Sequence, residues 1–144
     1  MKNSFLDVLN ATALVLCAVA LAFLSATGLG LSVVAEASAQ GIQVPQANPG
    51  LVPDVTQGKQ LFANNCAVCH GKDLKGTFQG PPLLHRIYEP SHHGDAAFQA
   101  AAKYGSRAHH WQFGDMPPVP TVTPDEVAHI IAYVRAEQQK AGIK

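Results

Sequence analysis

The sequence Cys66-Ala67-Val68-Cys69-His70 has the pattern C-x-x-C-H, and it decides how the rest of the chain is interpreted. Two residues three positions apart on a helix are neighbours on its surface, so both thiols project towards a common object. The imidazole of the next residue, His70, projects beside them. The segment therefore predicts a site that combines two sulfur atoms and one nitrogen ligand.

This spacing is typical of covalent attachment of a c-type haem. Two thiols on one turn can reach the two vinyl groups of one porphyrin edge, while the imidazole faces the iron. A thioredoxin-like pair is disfavoured because it needs an α/β context that the sequence lacks. Half of a zinc site needs further ligands, and the remaining cysteine, Cys17, lies in the hydrophobic leader, so only histidines stay open for that role. A chance match is disfavoured because the leader and the helix predicted before Cys66 both fit haem attachment.

The first 39 residues have the pattern of an export signal. Lys2 precedes an apolar stretch, no charged residue occurs from 8 to 35, and Ala37-Ser38-Ala39 is a small-x-small site before Gln40. We expect a hydrophobic leader helix and export to the periplasm. The domain is then soluble after cleavage near Ala39/Gln40, or it stays anchored to the inner membrane, because the apolar segment is long enough to span a bilayer.

Composition and length predict one small domain behind this leader. We expect three segments: the signal peptide or uncleaved anchor (1–39), a flexible proline-rich linker (40–53) and the domain itself (54–144). Proline opposes helix propagation, and the linker contains three. The 144 residues include ten basic and ten acidic side chains, so the formal net charge is zero and no nucleic-acid partner is expected.

Periodicity predicts an all-α fold of about three to four helices with long loops. A first helix is expected from about Asp54 to Asn65, and an alanine-rich helix from 96 to 104. In the last helix, Thr123 is the expected N-cap, Pro124 the first helical residue and Glu126 the acid of a capping box. Two irregular stretches rich in glycine and proline lie between these helices, at residues 71–90 and 109–122. Loops of this length in so small a fold need an internal object to pack on.

From about residue 55 to residue 141 the chain resembles a small class I cytochrome c, which covers essentially the whole exported domain. The residues that carry the resemblance, in chain order, are Gly58, Leu61 and Phe62 before Cys66, Gly71 after His70, Met116-Pro117, and Tyr133 in the final helix. Each is weak evidence alone, but the ordered set is specific. The resemblance implies that Gly58 and Phe62 on the first helix cross Tyr133 on the last.

The resemblance also implies the ligand set of one covalently bound haem. Cys66 and Cys69 are expected to form the thioethers, with His70 and Met116 as the two axial ligands of the iron. The Pro81 carbonyl is expected to accept a hydrogen bond from the other ring nitrogen of His70. The sequence itself also favours Met116, because it is the only methionine besides the first residue and the following proline holds its backbone extended.

These ligands imply electron transfer, since an iron with both axial positions filled favours it over substrate chemistry. We expect a periplasmic one-electron carrier without catalytic residues, which shuttles electrons between respiratory or dehydrogenase partners. Two alternatives remain. One is a haem-c subunit fixed in a membrane oxidoreductase complex, with the leader retained. The other is a peroxidase-like haem enzyme with a labile sixth ligand.

Two histidine pairs, His92-His93 and His109-His110, exceed what such a domain requires. They are interpreted in three ways: as hydrogen bonds that join two loops, as ligands of a second metal such as copper or zinc, or as replacements for Met116 at the iron. The first is the commonest role of such residues. His129, in contrast, lies off the apolar stripe of the last helix and is expected to face solvent.

Overall fold

Four α-helices and one 3-10 turn form the part of the chain that the computed structural model describes, residues 43–144. In chain order they are α1 (Val55–Asn65), α2 (Ala67–His70), the 3-10 turn Arg86–Tyr88, α3 (Asp95–Tyr104) and α4 (Pro124–Lys140). These residues contain no strand, only one antiparallel bridge between Ser106 and Met116. The all-α prediction is confirmed. The expected leader helix and its cleavage site fall outside the described residues.

The helices begin and end at local signals that were visible in the sequence. The Asp54 carboxylate caps α1 by accepting a hydrogen bond from the Gln57 backbone N–H at 2.7 Å. Helix α3 ends at Gly105, whose φ of 77° favours glycine. In α4 the Thr123 hydroxyl accepts from the Glu126 N–H, and the Glu126 carboxylate accepts from the Thr123 N–H at 2.8 Å. The predicted capping box is confirmed. Between residues 43 and 144, no helix is both long enough and apolar enough to cross a bilayer.

Helices α1 and α4 cross in direct contact at Gly58. A Cβ atom at Gly58 would lie 1.9 Å from the carbonyl oxygen of His129, so only glycine fits there. One turn further, the buried rings of Phe62 and Tyr133 pack with their centroids 5.7 Å apart. The crossing that the resemblance implies is confirmed. The buried core around it consists of Phe62, Ala67, Leu74, Leu83, Ile130, Tyr133 and Val134.

The prediction that His129 faces solvent is wrong. This side chain is 7% exposed, and its Nδ1 accepts a hydrogen bond from the Asp54 backbone N–H at 2.7 Å. That N–H lies before the first turn of α1 and has no partner within the helix. His129 is therefore buried because it supplies the acceptor that the start of α1 needs.

Residues 43–53, the described part of the predicted linker, contain no helix or strand. Two hydrogen bonds connect them to the helices. The Asn48 N–H donates to the Asp125 carboxylate at 2.7 Å, and the Tyr104 hydroxyl donates to the Gln43 carbonyl at 2.7 Å. This segment therefore contacts both α3 and the first turn of α4. Its flexibility stays a prediction.

Candidate cofactor-binding site

A half-open cavity of about 790 Å³ lies between the C-x-x-C-H segment, α3 and the loop that follows α3. Its volume is within the range of about 300–1,000 Å³ typical of sites for small molecules and cofactors. Apolar side chains line much of it, including Phe62, Leu83, Phe98, Val127 and Ile130. The side chains predicted to hold the haem all line this one cavity: Cys66, Cys69, His70 and Met116.

Cys66 lies at the junction of α1 and α2, and Cys69 lies within α2. The Cys66 N–H donates to the Phe62 carbonyl at 2.9 Å, which closes α1, and the Cys66 carbonyl accepts from the His70 N–H at 3.0 Å. Both cysteines are free thiols and partly buried. Burial raises the pKa of the Cys66 thiol to about 11, and the neighbouring Cys69 adds to the effect. Cys66 is therefore a neutral thiol at neutral pH.

His70 is held in a tautomer that suits a metal ligand. Its Nδ1 lies 3.0 Å from the Pro81 carbonyl oxygen, which is the contact that the resemblance implies. Because a carbonyl can only accept, the ring proton resides on Nδ1 and Nε2 keeps its lone pair. Burial lowers the pKa of His70, and the hydrogen bond to Pro81 opposes this by a smaller amount. The imidazole is therefore neutral at neutral pH.

The loop that carries Pro81 is fixed against α2. The Thr77 hydroxyl donates to the Cys69 carbonyl at 2.7 Å, and the Gly76 N–H donates to the His70 carbonyl at 2.8 Å. A Cβ atom at Gly80 would lie 3.0 Å from the same Cys69 oxygen, so the backbone approaches α2 as closely as glycine permits. These contacts position the Pro81 carbonyl for His70.

Met116 faces the cavity from the loop that follows α3. Its backbone forms two hydrogen bonds with Ser106, at 2.8 and 2.9 Å. A Cβ atom at Gly105 would lie 2.4 Å from the Met116 carbonyl oxygen, so this loop rests directly on the end of α3. Pro117 restricts Met116 to extended backbone conformations. The position of Met116 is thus fixed from both sides of the residue.

A buried hydrogen-bond donor supports the fit of a haem to this cavity. Among the described residues, Trp111 Nε1 is buried and has no hydrogen-bond partner. The Tyr88 phenol lies close by: burial raises its pKa, and the Trp111 indole lowers it by a smaller amount, but the two do not reach hydrogen-bond geometry. A buried N–H without a partner costs about 1–3 kcal/mol. A ligand with carboxylate groups, as haem has, offers the acceptor that Trp111 needs, so the residues present fit this cofactor.

Arg135 and Gln138 of α4 form a polar clamp that was not predicted from the sequence. Gln138 is 1% exposed, and its Nε2 donates to the carbonyl oxygens of Leu83 at 2.9 Å and Tyr88 at 3.1 Å. Arg135 Nη1 donates to Tyr88 and to the Gln138 side chain, both at 2.7 Å, and Nη2 donates to the His93 carbonyl. The clamp therefore attaches the loop before α3 to α4.

The two histidine pairs meet and form a histidine cluster, which comprises His92, His93, His109 and His110. His92 Nε2 lies 3.1 Å from His110 Nε2, and His93 Nε2 lies 3.3 Å from His109 Nε2. All four line the cavity. Desolvation lowers the pKa of His110, and repulsion from the other three rings adds to the effect. The two loops therefore contact each other through this cluster.

Known proteins similar to this chain include subunits of cbb3-type cytochrome c oxidases. It is 35% identical over 79 residues to the Cbb3-type cytochrome c oxidase subunit CcoP of Rubrivivax gelatinosus, and 38% identical over 69 residues to the subunit FixPc of Rhizobium leguminosarum bv. viciae. These matches cover 54% and 45% of this chain and 24% and 23% of the relatives. A thiosulfate dehydrogenase of Stutzerimonas stutzeri (strain A1501) is 46% identical over 46 residues, which are 28% of this chain and 14% of that enzyme. The chain thus spans about a quarter or less of the length of these relatives.

No solved structure gives a significant match. The family described as Cytochrome c, in contrast, matches residues 55–137, which include the whole C-x-x-C-H segment, Met116 and the crossing of α1 and α4. Because this match extends over more than half of the sequence, the chain belongs to the cytochrome c family, and membership implies a haem c.

Proposed function

We propose that this domain is a periplasmic one-electron carrier whose single haem is attached through Cys66 and Cys69 and ligated by His70 and Met116. The observation that carries the proposal is the meeting of these four side chains on the wall of one largely apolar cavity. When bound, haem iron supplies a reversible one-electron redox change whose potential depends on its axial ligands and surroundings.

The residues of the chain perform three tasks in this proposal. His70 offers the lone pair of Nε2, and Pro81 orients the ring through the hydrogen bond at Nδ1. Met116 offers a thioether from a backbone that Ser106 and Pro117 hold in place. The apolar part of the wall would limit contact between a bound haem and water, and His70 and Met116 together would hold the iron without a substrate ligand. The domain therefore needs no catalytic residue.

A second candidate function is that of a haem-c subunit fixed in a membrane oxidoreductase complex. It is favoured by the relatives whose names designate subunits of cbb3-type oxidases. In that case residues 1–39 are retained as an anchor, and the donor and acceptor are neighbouring subunits. In the leading proposal both are separate redox proteins. Mass spectrometry of the N-terminus of the purified protein distinguishes the two, because an intact leader supports the subunit and a start at Gln40 supports the free carrier.

The ligand set is tested by optical spectra of the full chain produced together with haem-attachment machinery. We expect one covalent haem per chain, a low-spin spectrum in both redox states, and the weak sulfur-to-iron charge-transfer band in the oxidised state. The variant Met116→Ala should lose this band and bind added imidazole readily. The matched control Gln112→Ala, at an exposed position of the same loop that does not line the cavity, should keep the wild-type spectrum.

Three outcomes contradict parts of this proposal. If no covalent haem forms, the whole proposal fails. If the charge-transfer band persists in Met116→Ala, the sixth ligand is another residue. If the wild-type protein binds imidazole as readily as the variant, its sixth position is labile and the peroxidase-like alternative replaces the carrier.

A further inference from the structure

The histidine cluster has a geometry that the haem ligation proposed above does not use. We propose that His92, His93 and His110 bind one metal cation of tetrahedral preference, of the Zn²⁺ class, and that His109, whose Nε2 lies 3.3 Å from His93 Nε2, shifts towards the ion as a fourth donor. Each of the first three offers one ring nitrogen, and these three atoms lie within 4.8 Å of one another. His92 and His110 are exposed and His93 is half-buried, so a cation can reach the site from solvent.

The hydrogen bonds of His93 and His109 fix where their lone pairs point. His93 Nδ1 lies 2.6 Å from the Ile87 carbonyl, and His109 Nδ1 lies 2.7 Å from the Arg107 carbonyl. Since carbonyl oxygens only accept, both Nδ1 atoms carry the proton, and in the neutral rings both Nε2 atoms carry a lone pair. Carbonyl partners of this kind are the usual outer support of metal-binding histidines.

These two Nε2 atoms face each other at 3.3 Å without a proton between them in the neutral rings. Two lone pairs at this distance repel, so the His93–His109 pair cannot be an ordinary hydrogen bond that joins the loops. Only a cation between the rings, a metal ion or an added proton, makes the contact attractive. The His92–His110 pair at 3.1 Å has no such restriction, because neither ring has a second hydrogen bond that fixes its tautomer.

The separations between nitrogen atoms favour a metal ion of tetrahedral geometry. Zinc binds histidine nitrogen at about 2.0–2.1 Å, so two ligands at the tetrahedral angle lie about 3.3 Å apart. Neighbouring ligands of a square-planar site lie about 2.9 Å apart at the same bond length. The observed 3.3 Å between His93 and His109 equals the tetrahedral separation, and the 3.1 Å between His92 and His110 lies midway between the two values.

The protein holds part of this site in place through α4. Arg135 Nη2 donates to the His93 carbonyl, and Arg135 Nε forms an ion pair with Asp95 at 2.9 Å. His93 is thereby attached to α4 and close to the first turn of α3. A ligand on such a support loses little conformational freedom when it binds a metal, which favours affinity.

The test is metal binding by the haem-loaded full chain, prepared without a polyhistidine tag and stripped with EDTA. In this form thioether formation removes the Cys66 and Cys69 thiols as competing ligands. After dialysis against Zn²⁺, elemental analysis should give one zinc per haem iron, and calorimetric titration should give a single site. The double variant His93→Gln/His110→Gln should bind Zn²⁺ at least 100-fold more weakly.

The matched control is His85→Asn, a neighbouring histidine that lies outside the cluster. His85 Nδ1 accepts a hydrogen bond from the Ile87 N–H at 3.2 Å, and an asparagine oxygen can replace that cap. This variant should bind one zinc with wild-type affinity. The low-spin haem spectrum and circular dichroism verify that each variant is folded. If the double variant fails this check, the single variant His110→Gln, at an exposed position, takes its place.

Four results overturn the proposal. They are no zinc bound at micromolar free Zn²⁺, equal zinc binding by wild type and by the folded cluster variant, loss of zinc from His85→Asn alone, and stoichiometric Cu²⁺ binding without Zn²⁺ binding. The last result overturns the tetrahedral assignment. The first leaves an added proton as the cation between His93 and His109.

Discussion

The contact of α4 with α1 and its contact with the cavity loops are stabilised in different ways. Towards α1 the helices touch directly, with Gly58 against the His129 carbonyl and Phe62 against Tyr133. Towards the loops, α4 acts through the polar clamp. Those loops enclose a cavity whose wall contains a buried donor without a partner, at Trp111. The contact between α1 and α4 is formed entirely by groups of the chain. The cavity loops, in contrast, leave the Trp111 N–H for a bound ligand to satisfy.

The largest effect on stability is expected from Gly58→Ala, which disrupts the contact between α1 and α4. Its Cβ would meet a backbone oxygen at 1.9 Å, and a backbone atom of α4 cannot rotate away as a side chain does. We expect the free energy of unfolding to fall by about 3 kcal/mol, the upper end for overpacking, although alanine is intrinsically the better helix former. Urea denaturation of the haem-bound protein measures this change.

The control for this variant is Gly50→Ala, outside the helices. Its Cβ would contact only the Asn48 side chain, at 3.5 Å, so stability should change by less than about 0.5 kcal/mol. If both variants lose the same small amount, the two helices separate easily. The contact between α1 and α4 is then no more rigid than the contact between α4 and the cavity loops.

The next largest effect on stability is expected from Gln138→Leu, which disrupts the polar clamp. The change removes the donor to the Leu83 and Tyr88 carbonyls and the acceptor of an Arg135 hydrogen bond. Leaving such buried groups unsatisfied costs about 2 kcal/mol. We also expect faster hydrogen exchange in the loop of residues 84–93 and weaker zinc binding, with α1 still protected.

The matched control is Gln139→Leu, the same substitution one position later at an exposed site. It should leave both stability and exchange close to wild type. Faster exchange throughout α1 in Gln138→Leu would contradict the comparison. It would show that the clamp and the helix crossing open as one unit.

Residues with strong local signals made the helical frame predictable. Thr123, Pro124 and Glu126 form a start signal that depends only on neighbours in sequence, and α4 begins there. The crossing at Gly58 followed from the resemblance, because it depends on an ordered set of residues. His129 was placed wrongly because α4 was considered alone. Its position four residues before Tyr133, on the side that meets α1, was the signal that indicated burial.

The candidate site was predictable only where its residues lie in one motif. The cysteines and His70 are adjacent in sequence, whereas the contact between His93 and His109 joins residues 16 apart and depends on the course of two irregular loops. Gln138 lies four residues after Val134, so its place on the buried stripe was visible. Its burial was not predicted, because a polar amide is expected in the core only where its hydrogen-bond partners are known.

The smallest effect is expected at the start of α4, from Glu126→Gln. Hydrogen bonds from the Thr123 N–H and hydroxyl hold the pKa of Glu126 below its usual value of 4.5. The Glu126 carboxylate is therefore protonated at a higher pH in the unfolded chain than in the folded chain. The stabilisation by Glu126 is present above about pH 4.5 and is lost as pH falls through the lower folded-state pKa.

Glu126→Gln removes this titration, so the loss of stability between about pH 5 and pH 3 should be shallower than in wild type. Urea midpoints at several pH values measure the slope. The control Thr123→Ser keeps both hydrogen-bond donors and should keep the wild-type slope. Because the capping box belongs to the helical frame and not to the loops, zinc affinity and the haem spectrum at neutral pH should be unchanged in Glu126→Gln. A change in either would show that the frame and the cavity loops are coupled more tightly than the contacts of α4 indicate.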